Sequence, residues 1–290
     1  MEHFSTSVSL SNEVTDRLFA LINALDDGSP LHVTDVGAGG GQLINRLAEH
    51  LQGRPWIHLE AVDIRQPPAG LSPAVNWMTS DARTLNLPPA KRVLIAHELL
   101  DDIPCERFEV DDSGAARLIV VEDGQDRMGP SLADDVGCAA LEVDAAGLRE
   151  WLSRWWPPDR PFMRGEIGLT RDVLWQRLTA SITEGLAIAV DYGHVLEERI
   201  AGTWDGGTLI GFVKGRATTP RTDGSCNLTA HVAFDSLACS AARGGFTLRP
   251  QSQILRSPIL AMPGGLGDLL WLSQTFGPGW QVGVTDTMAS

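Results

Sequence analysis

The chain reads as an α/β protein built on a mostly parallel sheet, with an antiparallel last strand and an inserted cap. Three observations predict this. Apolar runs of strand length alternate with segments of helical spacing through the first hundred residues. A glycine cluster follows the first of those runs, where a parallel sheet places a ligand loop. Between Cys105 and Met163 the alternation gives way to a hairpin, a group of tryptophans and a group of prolines.

Each element has its own signal. Ser11–Asp27 puts Val14, Leu18, Leu21, Ile22 and Leu25 on one helical face. Leu31–Val36 is a strand and Gly40–Leu51 the helix after it. Trp56–Ile64 and Val75–Thr79 are the second and third strands. KRVLIAH, Lys91–His97, has the continuous apolar core of a strand covered on both faces. Glu106–Val110 and Ala116–Val121 form a hairpin around Asp111–Gly114. Leu148–Trp156 is helical until Pro157, Pro158 and Pro161 break it. The rhythm resumes with helix Thr170–Thr183 and strand Leu186–Tyr192. Strand Thr208–Val213, helix Asn227–Ala242 and strand Phe246–Leu255 then supply a closing antiparallel hairpin around a helix. One domain is expected over residues 1–290, with the cap at 105–163.

Composition narrows the function. Hydrophobic residues make up 43% of the 290, enough for a proper core, and the net charge of −14 repels phosphate backbones, which argues against nucleic acid. No apolar run reaches membrane-spanning length. The stretch MEHFSTSVSLS lacks the basic and apolar regions of a secretory signal, so a cytoplasmic location and no membrane partner are expected. Cys105, Cys138, Cys226 and Cys239 lie far apart and read as reduced thiols. The histidines, including His32 and His58, show no ligand spacing, so no metal is expected.

The glycine cluster is LHVTDVGAGGGQL, Leu31–Leu43. Nicotinamide binding wants G-x-G-x-x-G, but the third position is Gln42; a P-loop needs a Gly-Lys-Ser/Thr that does not follow. Asp35, Gly37, Gly39 and Gly41 instead make D-x-G-x-G-x-G, the pattern of S-adenosylmethionine sites. Asp35 holds the ligand's amino-acid end, directly or through water; the glycines, with Ala38 between them, make room for the methionine chain and ribose. Asp63, ending the second strand, is placed to accept from ribose hydroxyls, although an acid there also caps turns. Asp81, after the third strand, is placed for the adenine amino group. Ile64, Ala82 and His97 adjoin these positions and complete the expected cofactor set.

Later segments carry a family resemblance. HELLDDIPCERFEV (His97–Val110) resembles the N-E-x-L-D-A-L-P-x-x-R-F segment of the MidA-like SAM-dependent methyltransferases. MRGEIGL (Met163–Leu169) resembles their S-E-I-N stretch, AIAVDYGH (Ala187–His194) their I-D-Y-G segment, and GGTLIGFVKG (Gly206–Gly215) their G-T-L-x-x-Y stretch. NLTAHVAFDSL (Asn227–Leu237) is similar to D-I-T-A-H-V-D-F, and HFSTSVSLS (His3–Ser11) to D-F-x-T-S-P-x-V-S. His97, Asn227 and Ala233 depart from the family's Asn, Asp and acidic residue, which bears on the acceptor more than on the cofactor. The resemblance implies a Rossmann-like class I methyltransferase sheet, S-adenosyl-L-methionine as cofactor, and a protein arginine as acceptor.

The residues allow chemistry of that kind. Glu98 and Asp101 follow the fourth strand and, with Asp102, make an acidic cluster that suits a guanidinium's planar fork of donors. Helix capping is the plainer reading of Asp101 or Asp102. Asp191 and Tyr192 end the strand at 186–192; Tyr192 either meets the acceptor or finishes the core. His231, on the helix expected at 227–242, is a candidate base or a structural histidine. Trp151, Trp155 and Trp156 read as the apolar face of the cap, or as a docking surface. Two rivals stay open: a small-molecule O- or N-methyltransferase, and a SAM-binding assembly factor without catalysis.

Overall fold

The computed structural model describes residues 10–241 and 245–277. The N-terminal motif at 3–11 therefore lies almost wholly outside the described residues. The first elements follow the sequence closely: α1 (Glu13–Leu25), β1 (Leu31–Val36), α2 (Gln42–His50), β2 (Ile57–Asp63), β3 (Val75–Thr79) and β4 (Ala90–His97). The cap comes next, with β5 (Glu106–Val110), β6 (Ala116–Glu122), β7 (Gln125–Ser131), α3 (Asp135–Ala140), α4 (Ala145–Trp155) and β8 (Arg164–Ile167). Then follow α5 (Leu169–Thr179), β9 (Ile182–Asp191), β10 (Gly193–His194), α6 (Leu196–Ile200), β11 (Ile210–Val213), β12 (Arg216–Thr218), β13 (Asn227–Thr229), β14 (Val232–Ala233), α7 (Phe234–Ser240), β15 (Phe246–Pro250) and β16 (Leu270–Phe276).

The seven-stranded sheet has the order β15-β16-β9-β4-β1-β2-β3. Its strands are parallel from β3 through β9, and β16 pairs antiparallel with both β9 and β15. Alternate residues of the central strands feed opposite layers. Ile95 and Ile188 join Leu18, Ile22 and Leu47 of α1 and α2 on one face. Leu94, Ala96 and Ala187 join Trp175 of α5 and Phe234 of α7 on the other. A third cluster, around Phe108, Trp151, Trp156 and Met163, is the core of the cap. Among the described residues no helix is long and apolar enough to cross a membrane.

Four expectations are corrected. The segment at 208–213 does not enter the main sheet; β11 pairs with β12 and β13 in a small sheet of its own. The closing hairpin is β15 with β16, and β16, whose LWLSQTF pattern mixes polar with apolar residues, went unrecognised. Helix 227–242 is mostly not a helix: β13 and β14 occupy its first half, and only Phe234–Ser240 is helical. Parallel pairing of β14 with β10 overrides helical spacing there. The helix expected to run to Thr183 stops at Thr179, because Ile182 begins β9 beside Ala90. The cap hairpin also gains two partners, making an antiparallel sheet β7-β6-β5-β8.

Candidate active site

The C-terminal ends of the parallel strands carry the expected residues. Between β1 and α2 the loop turns tightly: Gly37, Gly39 and Gly41 have φ of 78°, 60° and 72°, a region costly for residues with a Cβ. The Gly37 and Ala38 amides donate to the Val62 carbonyl at 2.8 and 3.0 Å. A Cβ on Gly37 would meet Leu99, whereas one on Gly39 would find only the Arg65 guanidinium at 3.4 Å and the Gly37 carbonyl at 3.9 Å. The two glycines thus serve differently. Leu99 excludes a side chain on Gly37, whereas a Cβ on Gly39 would only touch Arg65 and the Gly37 carbonyl, and its left-handed backbone is what calls for glycine.

Asp35, near the end of β1, is buried, and its Oδ2 has no hydrogen-bond partner. Burial, aided by the nearby Asp63 charge, pushes its carboxyl up to about 7. Asp63 has the opposite character. Its Oδ2 accepts from the Gly39 amide (2.8 Å) and Arg65 Nη2 (3.2 Å), and its Oδ1 from the Arg65 amide (2.9 Å) and Nε (3.0 Å). Burial pushes it up, but these bonds outweigh burial and hold it below the usual range. All four acceptor directions of the carboxylate are engaged. Asp81 is likewise held low by Arg83, whose Nη2 lies at 2.7 Å. Ile64 presents an apolar side chain that is 72% exposed, and Ala82 is buried nearby in sequence to Asp81. His97 is buried at the end of β4; burial lowers its pKa, and the Glu98 carboxylate 3.6 Å from its Nδ1 works the other way.

The acceptor-side candidates gather where β4 and β9 end. Glu98 has φ of 49° and donates its amide to the Val190 carbonyl at 2.7 Å. That strained backbone turns the following residues across the end of β9. Asp191 is fully buried: Oδ2 accepts from the Leu100 and Asp101 amides at 2.8 and 3.1 Å, and Oδ1 from the Tyr192 amide at 2.9 Å. Burial, then the Asp101 charge, pushes Asp191 well above the carboxylate range. Burial, with Asp102 adjacent, pushes Asp101 up to about 7. Asp102 is raised by burial and accepts from Asn227 Nδ2 at 3.3 Å.

Tyr192 stacks on His231 with ring centres 6.0 Å apart, and burial pushes its hydroxyl up to about 12. His231 lies in the turn between β13 and β14, so its expected place on a helix is corrected. Burial lowers its imidazole to about 4, leaving it neutral at physiological pH. Arg171, which the sequence reading did not single out, ties these loops together. Its buried guanidinium donates to the carbonyls of Asp101 (3.1 Å), Ile103 (3.1 Å), Ala230 (3.0 Å) and His231 (2.7 Å). Nothing in the local helical spacing separates it from a solvated helix arginine.

Comparison with known proteins bears on this arrangement. Residues 14–251 match the model of the family described as "Putative S-adenosyl-L-methionine-dependent methyltransferase". No curated protein matches the chain. A superfamily member from Burkholderia thailandensis, whose crystal structure holds S-adenosyl-homocysteine, is 18% identical with a TM-score of 0.69, covering 93% of this chain and 78% of that one. An uncharacterized protein of that superfamily, from the same organism, is 17% identical with a TM-score of 0.70, covering 96% of this chain and 85% of that one. Similarity at this identity speaks for the fold, whereas the family match spans most of the chain. The chain belongs to that family: it is an S-adenosyl-L-methionine-dependent methyltransferase whose cofactor is S-adenosyl-L-methionine.

Proposed function

We propose that this enzyme methylates a protein arginine, with the cofactor held over the β1–α2 loop and the guanidinium at the ends of β4 and β9. The observation that carries the reading is the cluster of Glu98, Asp101 and Asp102 at those ends, over the buried Asp191. The cofactor supplies an activated methyl group; the protein's task is to bind, orient and exclude water.

On the cofactor side, the unpartnered Asp35 Oδ2 and the bare backbone at Gly39 suit the amino-acid end and the methionine chain. Gly37, Ala38 and Gly41 shape the same loop. Asp63 takes the ribose hydroxyls in exchange for the Arg65 side chain, because no lone pair is otherwise available. Ile64 and Ala82 flank the adenine, Asp81 meets its amino group, and His97 closes the floor. On the acceptor side, Glu98 pairs with the guanidinium, and Asp101 receives the proton that the acceptor nitrogen sheds. Tyr192 and His231 form an aromatic wall. The cap at 105–163 covers the acceptor side of a single domain, and the cytoplasm is the proposed location.

Incubation of the protein with methyl-labelled S-adenosyl-L-methionine and a cell extract tests this. Label released from the protein fraction as methylarginine is the expected result. Label in small molecules overturns the arginine acceptor, and label in neither fraction overturns turnover itself.

A further inference from the structure

Among the described residues, nine buried side-chain nitrogen or oxygen atoms have no hydrogen-bond partner, and five of the nine belong to Trp156, His194, Trp204, Asp205 and His231. These residues are neighbours. The rings of His194, His231 and Trp204 form a triangle with centres 4.9, 5.9 and 6.3 Å apart. Trp156 meets His194 edge-on at 5.1 Å from the cap side, and Tyr192 stacks on His231 from the side of the carboxylates. The cluster thus bridges the cap and the strand ends. Leaving polar atoms unpaired inside a protein is unfavourable, and native structures keep such atoms few. Their concentration at one place beside a reaction centre calls for a partner that is not part of the chain.

The chemistry of that partner can be read from the tautomer of His194. Its Nδ1 lies 2.7 Å from Arg199 Nη1, and a guanidinium can only donate, so Nδ1 accepts and Nε2 carries the proton. Arg199 is itself fixed by both oxygens of Asp235, at 2.7 and 2.8 Å, and by the Trp155 carbonyl at 2.7 Å. Burial, then the Arg199 charge, holds His194 well below the usual histidine range, which keeps it neutral. His194 Nε2–H and the indole N–H groups of Trp204 and Trp156 are therefore donors, against the acceptor atom of Asp205, while His231 Nδ1 donates or accepts according to its tautomer. Trp156 is packed in the cap core, and Trp204, half-buried on a loop, packs against that core with its indole nitrogen buried.

We infer that the His194–His231–Trp204 cluster is an acceptor subsite, in which His194 and Trp204 donate to a carbonyl or carboxylate oxygen of the molecule being methylated. The inference rests on the proposed entry of the acceptor beside Glu98 and Tyr192, and it adds a requirement to it. A cationic group at the carboxylates must be accompanied by an oxygen acceptor on the side of the cap. A peptide carbonyl and the free carboxylate of a small molecule both meet that requirement.

Trp204→Phe is the decisive variant: it keeps an aromatic side chain while deleting the indole N–H together with the five-membered ring that carries it. The readouts are melting temperature, affinity for S-adenosyl-homocysteine, and the initial rate of label transfer into extract at limiting acceptor. The expected result is a modest drop in melting temperature, because the lost ring leaves a small void, with unchanged cofactor-product affinity. The rate is expected to fall by roughly tenfold or more, as when a site built for a hydrogen bond loses it. Loss confined to the protein fraction identifies a peptide carbonyl, and loss confined to small molecules a carboxylate. His194→Gln, which keeps a donor near the Nε2 position, is expected to retain more rate than His194→Leu. An unchanged rate in Trp204→Phe would mean that the donor meets no substrate, and a rate loss matched by equally weakened S-adenosyl-homocysteine binding would mean a general disturbance of the fold; either overturns the inference. Wild-type protein that labels neither fraction instead overturns the proposed function, and the subsite with it.

Discussion

In the proposed site, the Asp63–Arg65 pair and Gly39 set the terms on which the cofactor enters. Arg65 is 55% exposed on its side chain, so its ion pair is screened by solvent and is worth little. If the ribose competes with Arg65 for Asp63, Arg65→Ala tightens S-adenosyl-homocysteine binding by up to about fivefold, the equivalent of a surface ion pair of up to about 1 kcal/mol. Calorimetric titration measures this, and weaker binding would place Arg65 among the ligand's contacts. Gly39→Val is expected to abolish the ligand-induced thermal shift with the fold retained, because the branched side chain crowds Arg65 and the backbone where the ligand would approach and is disfavoured at a φ of 60°. A shift equal to wild type would put the ligand elsewhere. Glu98→Gln keeps the side chain's shape and removes its charge. Turnover is expected to fall by roughly two to four powers of ten with cofactor affinity unchanged. Equal turnover would remove Glu98 from the chemistry.

The elements matter here chiefly through the loops they fix. The cap is fastened to α5 by a buried bond from Trp151 Nε1 to Asp172 Oδ2 at 2.7 Å, and Ser236 of α7 donates to the same oxygen. Trp151→Phe takes one donor from a buried carboxyl and the indole's five-membered ring from the cap core, an expected loss of at least about 1–3 kcal/mol by denaturant unfolding. No loss would show that the cap is held by its apolar cluster alone. Element by element, the strands of the parallel run were legible: β1 and β3 begin and end as the sequence predicts, and β4, with its continuous apolar core, begins one residue earlier. The region from 208 to 233 was not. Its strands β11 to β14 are two to four residues long, too short to show a period, and pairing with distant strands decides their conformation.

Over the whole molecule, buried acids give stability a definite pH dependence. Asp35, Asp101 and Asp172 are each pushed up to about 7, burial being the first cause in each, and Asp191 is raised well above its ordinary value. A raised carboxyl binds its proton more tightly folded than unfolded. Its stabilising effect is therefore complete below about pH 4 and is lost as pH rises through about 7. Asp27, Glu60 and Asp63 are held low instead, and their contribution is lost as pH falls below about 4. The ligand-free protein is thus expected to melt at a lower temperature at about pH 8 than at about pH 5, with the net charge of −14 adding self-repulsion in the same direction. Asp35→Asn is expected to flatten that slope. A melting temperature that rises over this interval would contradict the burial of these carboxylates.

The sequence by itself determined the α/β class, the parallel run of strands, the glycine loop with Asp35 and Asp63 at successive strand ends, and the acidic segment after β4. These are local properties, because periodicity, glycine's access to positive φ and the residue that ends a strand are all written within a few positions. Only the tertiary structure decided the rest. It placed Asp191 under the Leu100 and Asp101 amides, 91 and 90 residues away in the chain. It also drew the carbonyls of Asp101, Ile103, Ala230 and His231 onto Arg171. It set His194, Trp204 and His231 ring against ring. The physical reason is that buried polar partners are chosen by what the packed core leaves within reach, and sequence separation places no limit on that choice.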